Sequence, residues 1–393
     1  MTFLHKNSRE IISDIVNKRR TTRIPWTLDF GACKGIQWNL MEKLKSSLNI
    51  KESLAKYFDY DIWMTLDPDR VYNDTAEYLP ESFKKSISKT SLIGGMPLSK
   101  HNDFNYSEYY NSHPLPPNGF FDGFGLYYYP WKGNEGYYAF LSPLENVNDI
   151  EIIKNYPVPV LKEEDYEFFK KDVDHIKSND KICSAYSGSF YEWSYYLRGR
   201  EKIYYDYYDN PELIKLIIEK VALFVEELST KNINAGVDIL CFYDDLGSQN
   251  GLQISPEIFR RFYKPYYKNL WQKIKSNHKD KYIFLHSCGN ITEIIPDLIE
   301  CGLDILHPIQ PETMNIYEIV RKYKNDLVFW GTMSNQKTFP IGSKEDIFKE
   351  VKDRVINIGN LGRLILGSSN TLGKDVPLQN IGYFAEACKK YCE

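Results

Sequence analysis

The residues able to do chemistry sit in a few short runs, mostly in the second half of the chain. The sharpest is His286-x-Cys288 in LHSCGN. On a strand end, residues two apart leave the same face, so an imidazole and a thiolate converge on one point. An N/S pair suits zinc, which takes tetrahedral His and Cys ligands. The same spacing also suits a buried thiol beside a histidine hydrogen-bonded to a neighbouring loop. Asp244 and Asp245 are adjacent carboxylates. Adjacent residues on a strand end face opposite ways, so at most one points into a site, as general acid or base or as a binder of a substrate cation or hydroxyls. In the other reading, one caps the following loop and its neighbour pairs with Lys or Arg. Arg198 and Arg200 end the run YEWSYYLRGR, where they can bind an acidic substrate or neutralise Asp206 and Asp209. Gln310, Ser369 and Asn370 are further polar residues at strand ends, read as substrate-binding. So is Tyr129, in an aromatic cluster with Tyr127, Tyr128 and Trp131 that suits either core or cavity wall.

These residues need elements to hold them. Strand-like runs at 24–30, 61–66, 181–187, 237–243, 281–286, 304–308, 326–331 and 363–367 alternate with helical patterns. Pro211–Ala235 is one such pattern, with Pro at its first turn and Gly236 ending it. Ser343 opens another with Asp346 three residues on, a capping-box pattern. Strand–helix alternation means βα units and a parallel sheet. Eight of them predict an α/β chain folded as a (β/α)8 TIM-type barrel, with its site at the C-terminal strand ends. A doubly wound open sheet is the alternative, but no glycine-rich dinucleotide or phosphate loop follows any strand. The stretch 67–160 fits no βα unit. It is expected to be an insertion or lid within a single barrel spanning 1–393, with hairpin strands in the Gly-punctuated, aromatic stretch 119–140.

Composition bounds the rest. With 393 residues, 42% apolar and 26% charged, wholesale disorder is excluded. Lys+Arg 49 against Asp+Glu 53 argues against a nucleic-acid or anionic-membrane partner. Aromatics reach 15%, with 31 Tyr, enough to build a large core or line a substrate cavity. The seven cysteines form no Cys-x-x-Cys pair, and the start MTFLHKNSREIISDIVNKRR carries no apolar signal segment. A cytoplasmic chain with reduced thiols is expected.

The runs FYDDLGSQNGLQISPEIFRRFYKPYYKNL, IFLHSCGNI, CGLDILHPIQP, VFWGTMSNQ and DVPLQNIGYF, in that order, resemble the uroporphyrinogen decarboxylase superfamily. FYEWSYYLRGREKIYYDYYDNPELI looks like the same superfamily one unit earlier. The resemblance covers roughly 180–393, and residues 1–66 only weakly. It implies a TIM-type barrel and two chemistries. The metal-free decarboxylase branch binds a tetrapyrrole's carboxylates with an Arg-rich motif after the first strand. Here that place reads TLDFGACKG at 27–35, without arginine, so that activity is not expected. The other branch holds zinc methyltransferases acting with corrinoid proteins and thiols such as coenzyme M. Their sites use His-x-Cys and a later Cys on the last strand. His286 and Cys288 match the first half as metal ligands, whereas the last strand reads Gly367-Ser368-Ser369-Asn370. Zinc would then be held with a carboxylate such as Asp244, or be absent.

Three functions follow. The first is methyl transfer from a corrinoid or methylated small molecule to a thiol, with zinc at His286 and Cys288 and with Asp244 or Asp245 orienting substrate or moving a proton. The second is a metal-free decarboxylase or lyase for a small carboxylate, anchored by Arg198 or Arg200. The third is a non-catalytic ligand binder. The partners expected are a small-molecule substrate, a corrinoid protein in the first case, and a second copy if the chain is a homodimer.

Overall fold

The structure, a computed structural model, describes residues 7–19, 21–74, 76–86, 104–110, 114–131 and 138–393. In chain order the strands are β1 (Ile62–Met64), β2 (Phe120–Phe121), β3 (Tyr127–Pro130), β4 (Tyr138–Leu141), β5 (Ile182–Gly188), β6 (Ile239–Tyr243), β7 (Tyr282–His286), β8 (Ile305–His307), β9 (Val328–Trp330) and β10 (Leu364–Ile365). β1 and β5 to β10 form one parallel sheet in sequence order. Strands such as ILCFY and YIFLH are buried at every position, as they must be with helices outside and side chains packed within.

The run expected as a first strand at 24–30 is reduced to a parallel bridge from Trp26 to Leu366. Thr27 N donates to Leu366 O at 2.9 Å, and Leu366 N to Pro25 O at 2.9 Å. Pro25 has no N–H for a ladder, and the chain then turns inward where Phe30 and Cys33 pair with each other. This bridge supplies the eighth wall of a TIM-type α/β barrel. Among the described residues no ladder joins the Trp26 segment to β1. Arg23 pairs with Asp61 across that seam, and the Trp26 and Tyr60 rings meet edge-on at 5.7 Å.

The barrel interior is a distinct apolar cluster. Ile182, Ile239, Cys241, Tyr243, Phe284, Ile305, Trp330 and Ile365 pack there with Ile11, Ile12 and Ile15. The last three belong to the helix Ser8–Val16, opened by an Asn7–Glu10 capping box. Arg9 ties this helix to Asp238 at 2.6 Å, beside the start of β6, so it closes the N-terminal end of the barrel. The outer core lies between strands and helices. Pro211–Ala235 buries Ile214, Ile217, Val221, Phe224 and Val225 there. Each such side chain contributes about 1.5–3 kcal/mol by leaving water.

Within 119–141, β2, β3 and β4 form an antiparallel three-stranded sheet, matching the expected hairpins. The helix Glu163–Ser178, just before β5, has no counterpart in the sequence reading. Its sequence is mostly charged, and Phe169, Val173 and Ile176 make only a narrow apolar stripe. Among the described residues no helix is long and apolar enough to cross a membrane.

Candidate active site at the barrel mouth

Along β7, Tyr282, Phe284 and His286 face inward, and Cys288 continues that face beyond the strand end. Cys288 Sγ lies 3.3 Å from His286 Nε2, so the two side chains converge as their spacing implies. Asp245 completes the group. Its Oδ1 is 3.5 Å from His286 Nε2 and accepts from Cys288 N at 2.8 Å. One donor atom from each of the three residues lies within 4.8 Å of the other two.

Asp244 faces the other way. Tyr243 is inward, so strict alternation turns Asp244 out of the barrel and Asp245 in. Asp244 is fully buried and accepts from Phe190 N and Glu192 N at 2.8 Å each, and from the hydroxyls of Ser189 and Tyr267. Phe190 is the N-cap of the helix Tyr191–Arg198 and Glu192 lies in its first turn, where a carboxylate complements the exposed N–H groups. Burial still pushes the Asp244 carboxyl up to about 6 against the pull of these donors. Asp244 therefore braces the site, which corrects the role expected of it as ligand or acid/base, and Asp245 is the member of the pair that reaches His286 and Cys288.

The other expected residues divide. Arg198 is wholly buried. Its Nε donates to Asp206 at 2.6 Å, Nη1 to the Leu144 and Val147 carbonyls, and Nη2 to Asn148. It is not free to anchor a substrate, and the neutralising reading on Asp206 holds. Arg200 instead lies over the Tyr195 ring and donates to Gln253. Gln310 accepts from Gly289 N at 3.1 Å and so fixes the loop carrying Cys288. Ser369 is buried with its hydroxyl spent on Met333 O, so it too is corrected as a substrate contact. Asn370 Nδ2 donates to Cys288 Sγ at 3.1 Å, placing the last strand's end at the thiol without a cysteine. In β3, Tyr128 shares the face of Phe120 and Phe140, which leads to Tyr196. Tyr129 points to the opposite face of β3.

Two residues escaped the sequence reading. His307 ends β8 beside His286, Nδ1 to Nδ1 at 2.7 Å, and its Nε2 meets Ser368 O at 3.2 Å. The signal was available, because β7 and β8 are in parallel register with His286 opposite His307. Glu192, in the first turn of Tyr191–Arg198, accepts from Tyr195 and Tyr196. Burial, with the Asp245 and Asp244 charges nearby, raises its carboxyl to about 8. Burial also lowers the His286 imidazole, against an opposing pull from Asp245, and drives His307 well down. It raises the Cys288 thiol, with Asp245 adding to the rise.

Phe30 seals the site from the barrel interior. Its ring stacks on His307 at 4.4 Å and on His286 at 5.2 Å. The turn that delivers it needs Gly31 at φ +58°, where a Cβ would sit 2.8 Å from the Phe284 ring and the Tyr243 hydroxyl.

A nitrogen, a sulfur and a carboxylate oxygen fit zinc. Three such donors are one fewer than the four of a closed structural zinc site.

Fold and site together define a TIM-type barrel with a titratable N/S/O cluster at the C-terminal mouth. The uroporphyrinogen decarboxylase (URO-D) family model matches residues 139–391, and the chain belongs to that family. A uroporphyrinogen decarboxylase from Trichodesmium erythraeum is 23% identical over 181 residues, 46% of this chain and 48% of that protein. One from Prochlorococcus marinus is 23% identical over 260 residues, 63% and 70% of the two chains. The chain spans about half the length of most of the curated relatives it matches. A solved methyltransferase from Methanosarcina mazei shares the fold at TM-score 0.59 and 12% identity, covering 98% of this chain and 99% of that one.

Proposed function

We propose that this URO-D family chain is a methyl-transfer enzyme that holds zinc with His286, Cys288 and Asp245 and takes a thiol as acceptor, with a corrinoid protein as methyl donor. The convergence of those three donors at the mouth carries the reading. Bound zinc would supply a lowered pKa to an acceptor thiol at neutral pH. The chain's own residues do the rest. Asn370 and Gln310 fix Cys288 and its loop, and Phe30 keeps water out from below. The acceptor thiol loses its proton to solvent at the half-exposed Asp245 edge. Its sulfur then forms a bond to the methyl carbon while the methyl–donor bond breaks, with the electron pair staying on the donor. The full-length structural likeness to the Methanosarcina mazei methyltransferase supports this reading. A polycarboxylate substrate fits poorly. Arg198 is sequestered, and Lys34, in the TLDFGACKG run, is buried between Asp29 at 3.0 Å and Asp67 at 3.2 Å.

Metal analysis of protein purified without a histidine tag tests the proposal. About one zinc per chain is expected, lost in Cys288→Ala, His286→Ala and Asp245→Asn. Zinc content unchanged in all three variants overturns it. Glu192 favours a second reading, metal-free decarboxylation of a small carboxylate. A neutral acid beside Asp245 can protonate the carbon from which CO2 departs, taking up the electron pair of the broken C–C bond. Metal-independent CO2 release, abolished in Glu192→Gln, would select that reading.

A further inference from the structure

His307 stands behind His286, and its hydrogen bonds decide which nitrogen of His286 is bare. His307 Nε2 faces the Ser368 carbonyl at 3.2 Å, and a carbonyl only accepts, so this nitrogen carries a hydrogen. His307 Nδ1 is 2.7 Å from His286 Nδ1, where one nitrogen must donate and the other accept. Were His307 the donor, it would be an imidazolium with both nitrogens protonated. It is fully buried against Phe30, Phe284 and Trp330, and among the described residues no carboxylate is bonded to it. An unpaired charge there carries a prohibitive desolvation cost. His307 Nδ1 is therefore the acceptor and His286 Nδ1–H the donor. A neutral His286 then has its lone pair on Nε2, the nitrogen facing Cys288 Sγ and Asp245.

We propose that His307 is a positioning residue that locks His286 in the Nδ1–H tautomer. The relay runs from the Ser368 carbonyl through His307 to His286 and aims a lone pair at the centre of the cluster. Free histidine in water favours the opposite tautomer, with its hydrogen on Nε2, so the lock opposes the intrinsic preference. Phe30 stacks on both rings, 6° from its own plane for His307 and 22° for His286, and the two imidazoles lie 28° apart. The last strand, lacking a cysteine, thus acts on the site through a backbone carbonyl. The metal part of this inference rests on the donor-triad reading, whereas the tautomer does not.

The test uses the full chain, chelator-treated and labelled with 15N-histidine. Long-range 1H–15N spectra of the wild type should show His286 with Nδ1 protonated and Nε2 bare, and His307 with the reverse. His307→Phe, which cannot accept, should shift His286 to the Nε2–H form. His307→Asn, whose amide oxygen can accept, should restore the Nδ1–H form. Cobalt(II) titrated into the same proteins should bind about 10–100-fold more weakly in His307→Phe, with recovery in His307→Asn. A wild-type spectrum with hydrogen on His286 Nε2 overturns the proposal, even if His307→Phe fails to fold. So does an unchanged His286 tautomer in His307→Phe. The predicted tautomers without cobalt binding in the wild type would sink the metal reading and leave the lock standing.

Discussion

Replacing Arg198 with methionine should cripple stability and leave the mouth chemically intact. The guanidinium and Asp206 are both fully buried, 2.6 Å apart. Methionine roughly keeps the volume but strands the Asp206 carboxylate, leaving it Asn210 Nδ2 at 2.7 Å and Lys202 at 3.6 Å. Breaking a buried pair from one side costs about 3–5 kcal/mol. The Val147 carbonyl and the Asn148 side chain also lose their 2.6 and 2.8 Å donors, adding about 1 kcal/mol. A loss of about 5 kcal/mol should lower the thermal midpoint by about 5–10 °C in a chain of this size. The acid limb should change as well. Burial pushes the Asp206 carboxyl up, but hydrogen bonds from Arg198 and Asn210 hold it below the ordinary range. Its folded value lies under its unfolded value, so its stabilisation is present at neutral pH and drains as pH falls below about 4. In Arg198→Met the burial remains and the guanidinium does not. The sign then reverses, and the variant should gain relative stability on acidification. Calorimetry between pH 3 and 8, with Asp206→Asn added to the Met background to recover part of the loss, measures this. A midpoint within about 1 °C of wild type, or a lost metal site at unchanged stability, would refute the structural assignment of Arg198.

Other perturbations probe the mouth directly. Gly31→Ala forces a Cβ at positive φ into the Phe284 ring and the Tyr243 hydroxyl, and should cost about 2–4 kcal/mol; a loss under 0.5 kcal/mol by chemical denaturation would refute the close packing. Burial and Asp245 raise the Cys288 thiol. Metal-free protein should therefore alkylate slowly with iodoacetamide at pH 8 and faster in Asp245→Asn, and a slower rate in that variant would count against the reading. Glu192, at about 8, binds a proton in the folded state between roughly pH 4.5 and 8 that the unfolded chain releases, so its contribution to stability falls as pH rises through that window. A 13C titration of the labelled carboxyl should show the midpoint drop in Asp245→Asn; no drop would mean the two carboxylates do not sense each other.

Much of the barrel was legible because fully buried strands leave continuous apolar runs. Polar residues at their ends, such as His286 and Asp245, then announce a site. The helix Pro211–Ala235 falls where its periodicity put it, and Ser343 opens the helix Lys344–Asn357 with the expected capping box. The Trp26 segment was harder, since a single bridge lacks the repeated alternation that marks a strand. Glu163–Ser178 hid because charge masks its narrow apolar stripe. At the site, alternation said that one of Asp244 and Asp245 points inward, and the parity of Cys241 and Tyr243 decides which. His307 was missed because its partner is adjacent in the sheet and not in the chain.

The bridge between Trp26 and Leu366 also governs how the molecule comes into being. Ile24 N reaches Cys392 O at 2.8 Å, Thr371 Oγ1 reaches Lys34 O at 2.9 Å, and Ile36 pairs with Leu372. The Trp26 segment thus waits for Leu366 before its wall can close. Between residues 26 and 366 lie 340 steps of translation, on the order of tens of seconds. Through that interval the inner faces of β5 to β9 have no closing partner and remain open to non-native pairing. Long-range closure of this kind makes folding slow. Yield in the cell should thus depend on how well the half-made barrel is shielded while its last strand is still being synthesised.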